Sequence, residues 1–491
     1  MKLPAKGIPE GELFKRLEAF REHDVRWRDG RTLAYVYDLS EQVEAVVKRA
    51  YAMYLSENAL DPTVFPSAVR FENELVAMAA AHLRGGPEVV GNFTSGGTES
   101  IMLAVKTARD YARKTRGVRA PEMILPVTAH AAFHKAAHYL GLKAVVTPVD
   151  PVSFKADVAA MRAAVTENTV LLVGSAVSYP QCVVDPIVEL GQLARERDLL
   201  LHVDACMGGF LLPYFRRLGE PVPEFDLSVP GVSSISIDFH KYAFAPKGAS
   251  IVLYRDAALR RHQIFAFARW YGYPIVNPAV QSAKSVGPMA AAWSVLHYVG
   301  DDGYLEMARS LLAATKRLKA GIEAIEGLRL VGDSEMNLVA FTSDREDLCA
   351  FHIIDELRAR GWFTHPQLSF EGAPANVHLA VNPKFAGQVE PFLKDLAAAT
   401  AAARGRQRSE LVENLLGVVS SLASGAGEDL ELDQETFTQL MAMAGVEIGG
   451  SLEASSTINE ILDALPPALR EQALTLYVNA LFVPPRESAA T

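Results

Sequence analysis

The sequence predicts an α/β fold: a mostly parallel sheet with helices on both faces, followed by a smaller α+β unit. Two observations carry this. From Asn92 onward, short apolar runs alternate with stretches of helical periodicity. One of these runs, Val170-Leu171-Leu172-Val173-Gly174, is apolar without alternation, as a strand buried on both faces must be.

The elements follow in order. Residues 8–57 read as mostly helical with a break near Asp29-Gly30-Arg31, because Val43, Val46, Val47, Ala50 and Tyr51 recur at amphipathic spacing. Residues 58–65 read as irregular and 71–83 as a helix. A turn at 94–98 leads into a helix at 99–113. Strands are expected at 123–126, 143–149, 170–174, 199–203, 233–237 and 250–254, with helices at 131–140 and 187–196. Helical stretches at 287–299 and 306–325, strands at 328–331, 338–342 and 377–381, and a helix at 346–360 make the smaller unit. Residues 405–491 carry Ser and Gly punctuation, an acidic cluster at 428–435 and two or three helical runs, and read as an appended helical segment. The expected division is 1–65, an N-terminal helical segment; 66–288, a large cofactor-binding domain; 289–404, a small α+β domain; and 405–491.

The bulk numbers exclude several classes. The chain has 491 residues, 49% hydrophobic and 22% charged, with a formal net charge of -10. Nucleic acid is not expected as a partner, since phosphate binding needs a basic surface. Cys182, Cys206 and Cys349 are far apart, without metal-ligand spacing or a disulfide framework. No secretory signal and no run of about 18 apolar residues is seen, so a cytoplasmic chain without a membrane span is expected.

In open α/β sheets, ligands bind beyond the carboxyl ends of the strands. Asp204 and Lys241 fall at such ends. Lys241, preceded by His240, offers an amine able to condense with an aldehyde. Asp204 closes the run Leu199-Leu200-Leu201-His202-Val203 and offers a carboxylate for a ring nitrogen. Ser95-Gly96-Gly97-Thr98-Glu99-Ser100 offers backbone N–H groups at a helix start for a phosphate. Each feature has a plain alternative: solvated basic residues, a turn aspartate, a helix cap. Together they form the set required by pyridoxal 5'-phosphate. His130 opens a helix and can stack on a flat ring. His134 and His138 follow at helical spacing, but no HExxH pattern accompanies them, and no metal is expected.

These blocks, with Val64-Phe65-Pro66, His130-Ala131-Ala132-Phe133, His202 to Phe210, and His240-Lys241-Tyr242 with Ala245-Pro246-Lys247-Gly248, resemble the group II pyridoxal phosphate-dependent decarboxylase family, and within it the sphingosine-1-phosphate lyases. The resemblance spans roughly residues 30–400. It implies the type I, aspartate-aminotransferase-like fold and a homodimer with sites at the interface. It implies catalytic roles for Lys241, His130 and Asp204. Lys241 would carry the cofactor, Asp204 would meet the pyridine nitrogen, His130 would stack on the ring, and Gly96, Gly97, Thr98 and His240 would lie around the phosphate. It implies that Tyr37 and Lys247 hold the substrate's phosphate.

Departures concentrate on the substrate side. Asp61 stands where the lyases have a phosphate-binding histidine, and a carboxylate there repels phosphate. Lys284, in Ser282-Ala283-Lys284-Ser285, replaces an arginine and loses its planar fork. His134 replaces an asparagine, and Tyr179-Pro180-Gln181-Cys182 replaces a Phe-Pro-His-Gly type segment.

Two reactions fit, and substrate orientation decides between them. A lyase breaks the Cα–Cβ bond of a phosphorylated β-hydroxy amine by retro-aldol chemistry, releasing an aldehyde and phosphoethanolamine. A decarboxylase releases CO2 from an amino acid. Tyr37 and Lys247 favour the first, a lipid-like amine; Asp61 and Lys284 favour another substrate. A third reading, a cofactor-binding protein without catalysis, conflicts with the presence of both Lys241 and Asp204. The aromatic stretch Phe265, Phe267, Trp270, Tyr271 and Tyr273 suits an apolar entrance or a dimer contact equally.

Overall fold

The computed structural model describes residues 3–407, 413, 433–443 and 455–484. Among these, the centre is a seven-stranded sheet of β1 (Val90–Thr94), β2 (Glu122–Pro126), β3 (Lys143–Thr147), β4 (Thr169–Ser175), β5 (Leu200–Asp204), β6 (Val232–Asp238) and β7 (Ser250–Tyr254), in the order β1-β7-β6-β5-β4-β2-β3. Pairing is parallel from β3 through β6, while β7 is antiparallel to both β6 and β1. Strands β2, β4, β5, β6 and β7 are buried along their whole length, which is why β4 reads as a continuous apolar run.

Helices α1 (Glu10–Ala19), α2 (Glu41–Met53) and α3 (Pro66–His82) precede the sheet. The N-terminal region is less helical than its periodicity predicts: only α1, α2 and a short 3-10 turn at Trp27–Asp29 form before residue 57. Gly30 takes a left-handed conformation (φ 80°) and ends that turn. Helix α3 begins earlier than expected, with Pro66 in its first turn, where a missing N–H costs nothing. Helices α4 (Gly97–Thr115), α5 (Ala132–Leu140), α6 (Val158–Ala163), α7 (Ile187–Glu196), α8 (Leu212–Arg217) and α9 (Ala257–Arg260) join the strands. Strands β8 (Phe265–Phe267) and β9 (Ile275–Asn277) form an exposed hairpin across the aromatic stretch.

Helix α10 (Gly287–Glu323) is interrupted at Gly300 (φ 66°, ψ 169°), the break expected between the two predicted helices. It leads to a smaller antiparallel sheet of β10 (Leu328–Leu330), β11 (Leu338–Ser343), β12 (His365–Gln367) and β13 (Asn376–Ala380), in the order β10-β11-β13-β12. Helices α11 (Ala350–Ala359) and α12 (Val389–Ala403) pack on one another beside it.

The C-terminal segment is described only in part, by α13 (Gln434–Met443), α14 (Ser455–Ala464) and α15 (Pro467–Leu481). Most of the acidic cluster and Gly/Ser punctuation lies outside the described residues. Helix α14 docks on α11 through polar contacts. Glu460 Oε1 lies 2.7 Å from His352 Nε2, both side chains almost wholly buried. The Asp463 carboxylate accepts from the Ser369 backbone N–H and hydroxyl, and Asp355 accepts from the Ser456 N–H.

Candidate active site

The site lies at the carboxyl ends of the central strands. Thr94, Ser250 and Asp238 are register partners across β1, β7 and β6; Ser236, Asp204 and Ser175 are partners across β6, β5 and β4. The sheet therefore sets Asp204 and Asp238 at the ends of neighbouring strands, Asp238 two residues beyond Ser236, the partner of Asp204. Asp204 Oδ1 accepts from the Cys206 N–H at 3.1 Å and from the Ser236 hydroxyl at 3.4 Å. No hydrogen bond among the described residues engages its other oxygen, which suits it to a ring N–H.

Lys241 follows β6, and its ammonium lies 2.9 Å from Asp238 Oδ2. Burial pulls the Lys241 charge down, but the Asp238 carboxylate outweighs it, so the lysine stands above its ordinary value. Burial likewise opposes ionisation of Asp238, and Lys241 and His240 overcome it, leaving Asp238 below the usual carboxylate range. His240 Nε2 lies 3.5 Å from the same oxygen, and burial holds its imidazole below the ordinary value. Asp238 Oδ1 and His240 Nδ1 are buried without a hydrogen-bond partner.

The Ser95–Thr98 turn packs directly on this pair. A Cβ at Gly97 would come 2.7 Å from Cys206 Sγ and 2.9 Å from Asp238 Oδ2. Gly96 (φ 152°) faces His240 Cε1. Gly97 opens α4, so the first N–H groups of that helix lack intrahelical partners. Glu99 braces the turn by accepting from the Ser95 N–H and hydroxyl, at 2.6 and 2.7 Å, and from the Val280 N–H. An anion-binding helix start, an amine and a strand-end carboxylate thus converge, and these donors fit pyridoxal phosphate. His130 is exposed, with Nδ1 accepting from the Ala132 N–H at 3.1 Å, which fixes the ring's attitude while leaving its faces open.

The substrate-side residues divide. Lys247 sits over the Tyr37 ring, 4.7 Å from its centroid, and Tyr37 packs edge-on against Tyr242, next to Lys241. Crowding by the cleft walls, then the charge of Lys241, lowers Lys247 to about 8. Asp61 is not brought into this group. It is exposed, and its Oδ1 holds a local turn through the Thr63 N–H and hydroxyl at 2.8 and 2.6 Å. Lys284 is half-buried, its ammonium donating to the Phe93 carbonyl at 3.2 Å, just before the Ser95–Thr98 turn.

Three neighbours lie outside the set predicted for the site. Asp238 is legible only as a strand end three residues before Lys241. Tyr179 stands out only as a departure in its segment. His365, on β12, has no local signal at all: it meets Tyr179 across 186 residues, with Nδ1 3.5 Å from the hydroxyl.

The fold and site define a pyridoxal phosphate-dependent enzyme of fold type I. Residues 26–344 match the pyridoxal-dependent decarboxylase conserved domain, and 396–480 match a pyridoxal-dependent enzyme C-terminal putative HTH domain. Sphingosine-1-phosphate lyase from Oryza sativa subsp. japonica is 41% identical over 402 residues, covering 80% of this chain and 73% of that one. A probable L-aspartate decarboxylase from Pyrococcus furiosus is 32% identical, covering 74% and 94%. The structure of Burkholderia pseudomallei sphingosine-1-phosphate lyase aligns with a TM-score of 0.79 at 36% identity, covering 87% of this chain and 97% of that one. The chain belongs to the pyridoxal-dependent decarboxylase family and is a carbon–carbon lyase. Among the described residues no helix is long and apolar enough to cross a membrane.

Proposed function

We propose that this chain cleaves a phosphorylated, lipid-like β-hydroxy amine by retro-aldol chemistry, releasing an aldehyde and phosphoethanolamine. The observation that carries the reading is the pairing of Lys247 with Tyr37, 4.7 Å from ammonium to ring centroid, with Tyr37 close enough to Lys241 to feel its charge: a cation and a phenol suited to a phosphate. Similarity to the rice and Burkholderia lyases supports it.

When bound, pyridoxal phosphate supplies an electron-poor ring that accepts the electron pair of a bond broken at the amine-bearing carbon. The geometry supports the following roles for this chain's residues. Lys241 is the attachment point, and Asp238 orients its amine and offsets its charge until it is used. Asp204 would hold the ring nitrogen of the bound group, with an oxygen that no hydrogen bond among the described residues engages. Gly96, Gly97 and Thr98 present backbone N–H groups to the phosphate, with His240 alongside. His130 covers one ring face. Lys247 and Tyr37 anchor the far end of the substrate, which selects the bond set perpendicular to the ring.

Amino-acid decarboxylation is the second reading. It is favoured by Lys284, which donates to the Phe93 carbonyl and does not join the Lys247–Tyr37 group, and by likeness to the probable aspartate decarboxylase. The same proposal includes a homodimer. The aromatic hairpin and the apolar side of α1, with Leu13, Phe14 and Leu17, are exposed on a single copy. It also includes a cytoplasmic location, supported by three cysteines that form no disulfide in the described structure, and the four-part division at residues 65, 288 and 404. Incubation of the loaded enzyme with a sphingoid-base 1-phosphate, against a panel of amino acids, separates the reactions by product: aldehyde or CO2.

A further inference from the structure

Retro-aldol cleavage requires that a hydroxyl proton leave the substrate as its oxygen becomes a carbonyl. The base must face the cleft opposite the groups that hold the cofactor. His130 and His240 each have a ring nitrogen engaged on that cofactor side, by the Ala132 N–H and by Asp238. Tyr179 and His365 come from other elements, the segment past β4 and strand β12 of the smaller sheet.

Tyr179 lies past the end of β4, half-buried, and is electrostatically coupled to Tyr37, Tyr35 and Lys241. Its hydroxyl lies 3.5 Å from His365 Nδ1. Two contacts fix the phenol. Its ring packs against His378, tilted by 31° with centroids 4.4 Å apart, and the His378 Nε2–H donates to its carbonyl at 3.0 Å. His365 is carried in by β12 of the smaller sheet and packs edge-on against Tyr35 at 5.2 Å. The smaller sheet thereby delivers an imidazole to a phenol that feels the charge of Lys241.

We infer that Tyr179 and His365 form a relay for the substrate's β-hydroxyl proton, with His365 as terminal acceptor; the inference rests on the retro-aldol reading. The substrate O–H bond breaks and its proton passes to the Tyr179 oxygen, while the Tyr179 hydroxyl proton passes to His365 Nδ1. The substrate oxygen's electrons form the new C=O bond, and the Cα–Cβ pair leaves toward the cofactor ring. The proton returns when the cleaved product is reprotonated at carbon, so no oxidant or reductant is needed.

Tyr179 cannot serve alone. Burial, then Tyr37 and Tyr35, push its phenol well above the ordinary range, so it must give up its own proton as it takes one. His365 can receive it because burial lowers its imidazole and keeps it neutral. The groups facing it are uncharged at neutral pH: Tyr35 from the N-terminal segment, Tyr179 past β4, and His378 on β13, which burial lowers to about 3. The 3.5 Å separation is of the kind that shortens when substrate completes the site.

The test uses His365→Gln and Tyr179→Phe in the cofactor-loaded enzyme. Each is expected to lower kcat for aldehyde release by about 100-fold with KM little changed. His365→Gln should also abolish the acid limb of the pH–rate profile, and the double variant should lose no more than either single one. A spectral readout independent of turnover accompanies these. An amine lacking the β-hydroxyl should shift the cofactor's visible band equally in wild type and both variants. Tyr179→Phe keeps the ring that packs against His378, so it reports even where His365→Gln is unstable. Aldehyde release unchanged in either variant, or an acid limb that survives His365→Gln, overturns the relay alone. A wild type that releases CO2 and no aldehyde overturns the retro-aldol reading and the relay with it.

Discussion

Gly97→Ala tests the packing of the cofactor turn most sharply. The added methyl would sit 2.7 Å from Cys206 Sγ and 2.9 Å from Asp238 Oδ2. An ordinary contact is about 3.5–4.0 Å, so the shortfall approaches 1 Å against two buried groups. Neither can swing away freely: Cys206 Sγ is held by Ser236 at 3.3 Å, and Asp238 by Lys241 at 2.9 Å. Overpacking of this kind costs about 1–3 kcal/mol. Relief comes by moving either the turn proposed to hold the cofactor's phosphate or Asp238, which orients Lys241. Titration of the apo-protein with pyridoxal phosphate, followed in the visible, should show about 10- to 100-fold weaker binding, with a lower melting temperature. Gly86→Ala, where nothing lies within 4 Å of the added methyl, is the control and should match wild type. Wild-type affinity in Gly97→Ala would refute the close approach of the turn to Asp238.

Further predictions follow from the same geometry. Asp238→Asn should leave the chain folded but weaken cofactor attachment, because Lys241 loses the carboxylate that orients it; the visible band at fixed cofactor concentration reads this. Lys247 is charged below about pH 8. KM for a phosphorylated substrate should therefore rise as pH climbs through that value, and Lys247→Arg should move the rise to higher pH. Glu460→Ala removes the partner of buried His352 and should cost about 1–3 kcal/mol of the α14–α11 contact. Limited proteolysis should then release a C-terminal fragment that wild type retains. Asp61→Asn should change KM by no more than about twofold, since the exposed carboxylate serves a local turn.

How far the sequence revealed this depended on whether the signal was local. Strands β4 and β5 were legible because burial on both faces makes them continuous apolar runs, and Asp204 because it closes one of them. Strand β1 was hidden: Gly91 and Asn92 interrupt its apolar pattern, although the strand is buried against β7. The Ser95–Thr98 turn announced itself through its glycines, but not the reason Gly97 must be one, which is the approach of Cys206 and Asp238 from strands more than 100 residues away. Asp61 and Lys247 look equally chemical in sequence. Only the fold separates a carboxylate spent on Thr63 from an ammonium stacked on Tyr37. His365 was invisible because its meaning arises when the smaller sheet carries it to Tyr179.

The most direct test of the account is mass-spectrometric detection of products after incubating the cofactor-loaded enzyme with a sphingoid-base 1-phosphate. The account predicts a long-chain aldehyde together with phosphoethanolamine, and neither from Lys241→Ala, which should also lose the cofactor's visible band. An enzyme with an intact band that yields no aldehyde, and instead releases CO2 from an amino acid, would contradict it.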